Sequence, residues 1–279
     1  MGVLYVVATP IGNLEDITHR AVRILKEVSL IAAEDTRQTR RLLNCYNIRT
    51  PMTSYFEHNK KTKLENVLNH LKEEDVALVS DAGTPGLNDP GYELIVRAIE
   101  CGIKVEPIPG SSVILTALVV SGLPTDRFVY VGYLPRKSGE RRHFSNSTVN
   151  ESATLIALET PHRLRRALSD LLDILGDRRI AVCRELTKVH EEIYRGTLSQ
   201  AVAYFVEPRG EFTLVIEGNR QVATLVPDDD ILRRLRRMYQ FGMKAKEAIA
   251  EVSRDSGISR KQLYQAWLEL SSPSNKVHY

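Results

Sequence analysis

The chain of 279 residues is predicted to be an α/β protein, with two α/β domains and a small helical C-terminal extension. In the first 120 residues, short apolar strands alternate with amphipathic helices, which favours a mostly parallel sheet covered on both faces. More closely spaced strands follow, up to about residue 217, and favour a partly antiparallel sheet. Beyond Pro227 only helical periodicity is found.

Ten strands are predicted, each from a short run of mainly apolar residues: 3–8, 30–33, 52–55, 76–80, 103–108, 128–133, 154–158, 180–184, 191–195 and 212–217. Apolar residues at helical spacing predict helices between them, including one across Leu14–Val28 and one ended by Gly176. The polar stretch 145–152 is predicted to be a loop. Domains are expected at 1–119, 120–222 and 223–279.

Composition excludes several classes of protein. No apolar run approaches the roughly 20 residues that a membrane span needs, and the N-terminus lacks the basic segment of a signal peptide. The three cysteines, Cys45, Cys101 and Cys183, are far apart, which disfavours a disulfide framework and a local zinc site. A cytoplasmic protein without a metal centre or membrane contact is expected.

Positive charge is concentrated near the C-terminus. Residues 223–279 hold ten Lys or Arg and seven Asp or Glu, so they account for the whole net charge of +3. Arg233, Arg234, Arg236 and Arg237 fall within five residues. A polyanionic partner and a solvated helix face both explain this run. The two helices expected around Ser256-Gly257-Ile258-Ser259 are typical of a helix-turn-helix or of a helical hairpin.

Three loops rich in small residues follow predicted strands of the first domain: 8–14, 80–91 and 107–112. The second, Ser80–Gly91, holds three Gly, two Pro and two Asp. Such loops let backbone approach a ligand closely, and in open α/β sheets ligands bind outside the carboxyl ends of the strands. Three loops of this kind indicate one shared ligand crevice. Within this loop, Asp89-Pro90-Gly91 is interpreted as the turn that starts the next helix.

The loop motifs also support a family resemblance. They occur in the order and spacing of one family: Thr9-Pro10-Ile11-Gly12-Asn13-Leu14, Ala33-Glu34-Asp35-Thr36-Arg37, Ser54-Tyr55-Phe56-Glu57-His58-Asn59, Ser80–Gly91 and Pro109-Gly110-Ser111-Ser112. The chain resembles the tetrapyrrole-methylase superfamily, the class III S-adenosylmethionine-dependent methyltransferases. Within it, the chain is similar to the enzymes that methylate a cytidine ribose in small-subunit (16S) ribosomal RNA.

The resemblance implies two α/β domains with the methyl donor S-adenosylmethionine in the cleft between them, and a homodimer. It implies cofactor contacts at the positions that match the family's motifs: Pro10, Asp81, Ala82, Gly83, Ser111, Ser112, Leu158, Glu159, Thr160, Pro161, Gly210, Glu211 and Thr213. The expected partner is 16S ribosomal RNA in the small ribosomal subunit.

The chemistry agrees with this resemblance. A sulfonium methyl donor is already activated, so the protein needs no metal and no covalent nucleophile, and alignment of donor and acceptor contributes most. A ribose hydroxyl is a poor nucleophile while it is protonated, so a general base would help. Asp81, Glu57, His58 and Glu159 are the candidates, and positioning without a dedicated base remains an alternative.

Basic residues beside the motif loops are predicted to contact RNA phosphates. They form three groups: Arg37, Arg40 and Arg41; Lys60 and Lys61; Arg136, Lys137, Arg141 and Arg142. Solvated surface charge is the alternative for each of them. Tyr55, Phe56 and Tyr133 are candidates for stacking on an unpaired base, with core packing as the alternative.

Two rival functions remain at this stage. A tetrapyrrole C-methyltransferase of the same superfamily would need neither the basic tail nor the loop arginines. A non-catalytic RNA-binding protein of ribosome assembly would not need intact cofactor loops.

Overall fold

A computed structural model of the chain describes residues 1–55, 60–219, 227–256, 258 and 260–271. The chain forms two compact units, one of residues 1–147 with 154–217 and one of residues 148–153 with 218–279. The first, the α/β unit, contains both sheets. The second, the helical unit, contains three helices in the part that the structure describes. The predicted α/β class with a helical C-terminal region is confirmed.

The first sheet has five parallel strands in the order β3-β2-β4-β1-β5. Its strands are β1 (Val3–Val7), β2 (Leu30–Ala33), β3 (Met52–Ser54), β4 (Val76–Val79) and β5 (Lys104–Ile108). Its helices are α1 (His19–Glu27), α2 (Thr36–Cys45), α3 (Lys60–Leu71) and α4 (Tyr92–Glu100). Alternate residues of the strands pack into two separate apolar cores, one containing α1 and α2 residues and one containing α3 and α4 residues. The sheet is therefore buried on both faces, as predicted.

The second sheet has the order β6-β7-β10-β8-β9, and only β6 and β7 pair in parallel. Its strands are β6 (Phe128–Tyr133), β7 (Thr154–Glu159), β8 (Arg179–Arg184), β9 (Glu192–Thr197) and β10 (Phe212–Ile216). Its helices are α5 (Val113–Ser121), α6 (Ser138–Thr148), α7 (Pro161–Leu175) and α8 (Leu198–Tyr204). The predicted mixture of parallel and antiparallel strands is confirmed.

Helix α5 follows the last strand of the first sheet but packs against the second. Its residues Ile114, Ala117 and Leu118 share a core with Ile156 and Val215 of the second sheet. The start of α5 is thereby held where the loop after β5 meets the second sheet.

Two predictions about local structure were wrong. The helix expected from Leu14 to Val28 is divided into a 3-10 turn, Leu14–Asp16, and α1, because extended Thr18 caps α1 by accepting a hydrogen bond from Ala21 N. The loop expected at 145–152 is helical as far as Thr148. Ser145 is fully buried and its hydroxyl donates to the carbonyl of Arg141, so tertiary packing outweighs weak helix propensity.

The helical unit contains α9 (Asp229–Gln240), α10 (Ala245–Ser256) and α11 (Arg260–Ser271). Leu235, Val252, Leu263 and Trp267 are among the residues of its own apolar core. The expected junction of two helices falls between α10 and α11. Gly257 and Ser259 of that junction lie outside the described residues.

No helix in the described part of the chain is both long and apolar enough to cross a membrane.

Candidate active site

The strand order of the first sheet makes the three small-residue loops neighbours, because β4, β1 and β5 are adjacent. Two backbone hydrogen bonds join the first two loops, Thr9 N to Gly83 O at 2.9 Å and Gly83 N to Thr9 O at 3.0 Å. A Cβ on Gly110 of the third loop would lie 3.1 Å from Ala8 Cβ, so the third loop also packs closely on the first. Gly83 has φ of 76°, a conformation that favours glycine.

The loop after β2 adds carboxylates to this rim, because β2 is the other neighbour of β4. Asp35 N donates to Asp81 Oδ1 at 3.0 Å, and Asp81 N donates to Glu34 Oε2 at 3.2 Å. Burial raises the pKa of both Glu34 and Asp81. The charge of Asp35 raises both pKa values further, and the charge of Asp81 also raises that of Glu34. Asp35 differs, since hydrogen bonds from Arg37 lower its pKa to about 2.

Asp89 completes an acidic wall with Glu34 and Asp81. Its pKa is raised to about 7, first by burial and then by the charge of Glu34, against the opposing effect of a hydrogen bond from Ser80. The turn interpretation of Asp89 agrees with the start of α4 at Tyr92. The sequence did not indicate that this carboxyl would face the ligand crevice.

The second sheet brings its own residues to the cleft. Parallel pairing of β6 with β7 sets Tyr133 beside Leu158, and antiparallel pairing of β7 with β10 sets Glu159 beside Phe212. The β6–β7 register shifts between Tyr130 and Gly132, and both Tyr130 and Tyr133 line the cleft.

Glu159 is a buried carboxylate in this rim. Its Oε1 accepts a hydrogen bond from Thr160 N at 2.7 Å and forms an ion pair with Arg163 at 2.5 Å. Its Oε2 is buried without a hydrogen-bond partner among the described residues. An unmet buried acceptor in a cleft is expected to receive a donor from a ligand.

A glycine contact shapes the wall around Glu211. Gly210 has φ of 89°, and a Cβ there would lie 2.6 Å from Glu185 Cγ. Glu211 N donates to Glu185 Oε1 at 2.8 Å, while Glu211 Oε2 pairs with Lys188 Nζ at 2.7 Å. The absence of a side chain at Gly210 thus allows Glu185 to approach the backbone and hold Glu211 at the rim. Gly210 itself does not line the cleft.

Together these walls enclose a cleft of about 280 Å³. Eight predicted cofactor residues line it: Asp81, Ala82, Gly83, Ser112, Leu158, Glu159, Glu211 and Thr213. Five others are not among its lining residues: Pro10, which is buried, Ser111, Thr160, Pro161 and Gly210. Ten further residues line the cleft although no ligand contact was predicted for them: Ile11, Glu34, Thr84, Leu87, Asn88, Asp89, Val113, Ile114, Tyr130 and Phe212.

Two of the four candidates for a general base line the cleft, and the other two are not described by the structure. Asp81 and Glu159 line the cleft. Glu57 and His58 lie outside the described residues, as does the stacking candidate Phe56.

Two candidates for RNA contact lie in the interior: the prediction for Arg141 was wrong, and Tyr55 takes the core-packing alternative. The side chain of Arg141 is 2% exposed, and its guanidinium donates to Asp170 of α7 and to the carbonyl of Pro135. Tyr55 is 1% exposed and packs in the core beneath α3 and α4. A buried Arg in an ion pair cannot reach phosphate, and a buried ring cannot stack on a base.

The other predicted RNA contacts keep accessible positions where their side chains are described. Arg40, Arg41 and Arg136 are exposed. Three more are exposed but paired: Arg37 with Asp35, Lys137 with Glu140 and Arg142 with Asp173. Lys60 and Lys61 lie in α3, and their side chains are outside the described set. Tyr133 is half exposed at the cleft.

In the helical unit, the arginine run divides into two pairs. Arg233 forms an ion pair with Asp230 at 2.6 Å, and Arg234 bridges Glu251 and Asp255 of α10. Arg236 and Arg237 are exposed, without an ion-pair partner among the described residues. The run is therefore partly a neutralised helix face and partly free positive charge.

Comparison with known families gives two matches. Residues 3–202 match the Tetrapyrrole (Corrin/Porphyrin) Methylases, and residues 226–271 match the RsmI C-terminal HTH domain.

Curated relatives cover most of the chain. Proteins named ribosomal RNA small subunit methyltransferase I are 48% identical in Halalkalibacterium halodurans, covering 95% of this chain and 94% of the relative, and 46% identical in Synechocystis sp., covering 98% and 99%. The relative of that name from Thermotoga maritima is 46% identical and covers 78% of this chain but 99% of its own length.

Solved structures share the fold. Diphthine synthase aligns with a TM-score of 0.59 at 13% identity, over 78% of this chain and 90% of its own. Uroporphyrin-III-C-methyltransferase from Thermus thermophilus aligns with a TM-score of 0.53 at 18% identity, over 77% and 94%.

Proposed function

Because the chain belongs to the tetrapyrrole methylase family, we propose that it transfers a methyl group from S-adenosylmethionine to a ribose 2′-hydroxyl of 16S ribosomal RNA. The acceptor is a cytidine, expected to be cytidine 1402 of the decoding centre. The observation that carries the proposal is the cleft, where eight of the residues expected to hold the methyl donor meet on the rims of two sheets.

The residues of the cleft suit this donor. Gly110 lets its loop approach Ala8 where a side chain would be tight, and Gly83 adopts a positive φ that favours glycine. The unpartnered Glu159 Oε2 suits a ribose hydroxyl or an amino group of the adenosine part, and the carboxylates of Glu34 and Asp81 suit the positive charge of a sulfonium or an amino group. When bound, the donor supplies an activated methyl group.

The chain's own contribution is positioning. The loop-to-loop bonds of Thr9 and Gly83, and the exchange of bonds between Asp35, Asp81 and Glu34, fix one wall before any ligand arrives. A preformed wall reduces the entropy lost on alignment, and such alignment is worth up to about 7–11 kcal/mol in favourable cases. No metal ligand set is proposed.

The RNA acceptor is supported by the relatives' name and by surface charge. The half-exposed ring of Tyr133 is proposed to stack on the unpaired target base. Exposed Arg40, Arg41 and Arg136 are proposed to contact phosphates, together with Arg37, Lys60, Lys61, Lys137 and Arg142.

The helical unit is proposed to add RNA affinity. It matches a family of helix-turn-helix domains and leaves Arg236 and Arg237 unpaired among its described residues. The Thermotoga maritima relative has the same name but no counterpart to about a fifth of this chain. The methyl-transfer machinery is proposed to be confined to the α/β unit, whose residues line the cleft.

A cytoplasmic homodimer is also proposed. Leu115 and Val119 are 53% and 70% exposed on α5, and Phe128 and Val129 are exposed on the edge strand β6. Apolar surface of this kind is typical of a protein interface. Light scattering coupled to gel filtration should give twice the chain mass of 31.5 kDa.

The function is tested by incubating the protein with labelled S-adenosylmethionine and unmodified small ribosomal subunits, then mapping the label. We expect one 2′-O-methyl cytidine in the decoding centre. Label on a base, on another nucleotide, or on a tetrapyrrole precursor in place of RNA would contradict the proposal. Calorimetry that detects no binding of S-adenosylmethionine would contradict it as well.

A further inference from the structure

Asp89 is a carboxyl of the cleft to which no role has yet been given. It is half-buried, it comes from the carboxyl-end loop of β4, and it lines the same cleft as Asp81 and Glu159. It differs from both in its contacts. Asp81 Oδ1 accepts the Asp35 N–H. Glu159 Oε1 is held by Thr160 N and Arg163, and its Oε2 is the acceptor proposed above for the adenosine part of the donor.

Local geometry fixes the position of Asp89. The preceding residue, Asn88, has φ of 65°, and the following segment turns through Gly91 with φ of 137° into α4. Asn88 lies against Gly132 of β6, where a Cβ would be 2.7 Å from Asn88 Nδ2. Gly132, beside the register shift in β6, therefore allows Asn88 to approach the second sheet, and Asp89 follows Asn88 in the chain and lines the cleft.

We propose that Asp89 is the proton acceptor of the methyl transfer. This inference rests on the proposed function. In the step, the ribose 2′-hydroxyl oxygen forms a bond to the methyl carbon, the sulfur–carbon bond breaks with its electron pair passing to sulfur, and the hydroxyl proton passes to an Asp89 carboxylate oxygen. The neutral carboxyl then releases the proton to solvent.

The groups around Asp89 suit this task. Glu34 from the β2 loop and Asp81 from the β4 loop oppose its ionisation, while the Ser80 hydroxyl favours it. Tyr130 and Tyr133 face it from β6, and the Asp89 charge contributes to the raised pKa of both phenols. With its own pKa raised to about 7, the Asp89 carboxyl is near the value at which a base combines availability with proton affinity at neutral pH.

The test compares Asp89→Asn with Asp126→Asn, which makes the same change at an exposed residue just before β6. Calorimetry measures affinity for S-adenosylmethionine, and single-turnover transfer to small subunits is followed from pH 5.5 to 9. We expect Asp89→Asn to keep cofactor affinity within about threefold and to slow transfer by about 10²–10⁴-fold. The rise of rate with pH that is expected of the wild type should be lost. Asp126→Asn should match the wild type.

Glu34→Gln provides a second variant, which changes the pKa of the proposed base without removing the base. Loss of the Glu34 charge lowers the pKa of Asp89, so the rise of rate should shift to lower pH. A readout independent of catalysis is the infrared band of a protonated carboxyl. The free wild-type protein should show this band at pH 6 and lose it by pH 8, and Asp89→Asn should lack it.

A wild-type rate and pH profile in Asp89→Asn, or a loss of rate explained by lost cofactor affinity, would overturn the assignment while leaving the proposed function intact. Absence of methyl transfer to RNA by the wild type would instead overturn the proposed function itself.

Discussion

Like charges lie close together in the cleft of the α/β unit, whereas opposite charges are paired on helix α9 of the helical unit. In the cleft, Glu34, Asp81 and Asp89 share one wall. Burial raises the pKa of all three carboxyls, and the charges of Glu34 and Asp81 raise that of Asp89 further. On α9, acidic neighbours neutralise Arg233 and Arg234 and leave two arginines free. Unrelieved like charge in a cleft is typical of a site that binds or transforms a ligand. Partial neutralisation is typical of a solvated helix face, so on α9 Arg236 and Arg237 are expected to contribute more to RNA binding than the ion-paired Arg233 and Arg234.

The largest expected effect is on the free energy of unfolding, and it distinguishes a buried arginine of the α/β unit from an exposed one. Arg141→Ala leaves Asp170 buried without its main partner, which typically costs about 3–5 kcal/mol in free energy of unfolding. Arg136→Ala, at an exposed position of the same predicted RNA group, should cost less than about 0.5 kcal/mol. Urea denaturation measures both. Equal stability of the two variants would show that Arg141 does not anchor α6 to α7.

The next effect concerns cofactor capture. Asp81→Ala removes the carboxylate that accepts the Asp35 N–H and loosens the acidic wall, so affinity for S-adenosylmethionine should fall by at least about a hundredfold, or about 2.7 kcal/mol. RNA affinity should be unchanged. Calorimetry gives the first quantity and filter binding the second. Undiminished cofactor affinity would remove Asp81 from the binding site.

Gly210→Ala tests the opposite wall of the cleft. The added Cβ meets Glu185 at 2.6 Å in a conformation that L residues rarely adopt, so Glu211 should shift and cofactor affinity should fall about tenfold. Gly139→Ala is the matched control. A Cβ at Gly139 meets nothing within 4 Å, and alanine is the better helix former in α6, so this variant should be as stable as the wild type or more so. Similar cofactor affinity in both variants would argue against a role for the Gly210 contact.

The two arginine pairs of α9 test whether ion pairing reduces the contribution of an arginine to RNA binding. Arg236→Ala with Arg237→Ala should weaken RNA binding about tenfold and reduce the slope of log affinity against log salt by about 2. Arg233→Ala with Arg234→Ala makes the same change in charge at ion-paired positions and should weaken binding less. Equal losses in the two double variants would mean that ion pairing does not decide which arginines bind RNA.

The smallest expected effect is on stability. Because the pKa of Asp89 in the folded protein, about 7, exceeds the ordinary value, its contribution to stability is present at low pH and lost as pH rises through 7. Solvent in the cleft screens the charge, so we expect the wild type to lose about 1 kcal/mol more than Asp89→Asn between pH 5 and 8, or about 2–4 °C in Tm. Parallel Tm profiles for the two proteins would contradict the raised pKa.

The sequence alone determined the α/β class, the parallel and mixed sheets and the three small-residue loops. Strands β2 and β6 lie where their apolar patterns predicted them, because a buried strand needs a short run of apolar residues and turn residues at its ends. Of the thirteen positions at which the family resemblance implied cofactor contacts, eight line the cleft.

Tertiary structure decided which charged residues meet. Glu34 and Asp89 are 55 positions apart in the chain and reach one wall only because β2 pairs with β4, an order that no local pattern specifies. Arg141 resembles its exposed neighbours in sequence, yet Asp170 on another helix takes it into the interior. Burial and pairing set whether a charge is a ligand contact, a proton acceptor or an internal ion pair, and both depend on contacts between distant parts of the chain.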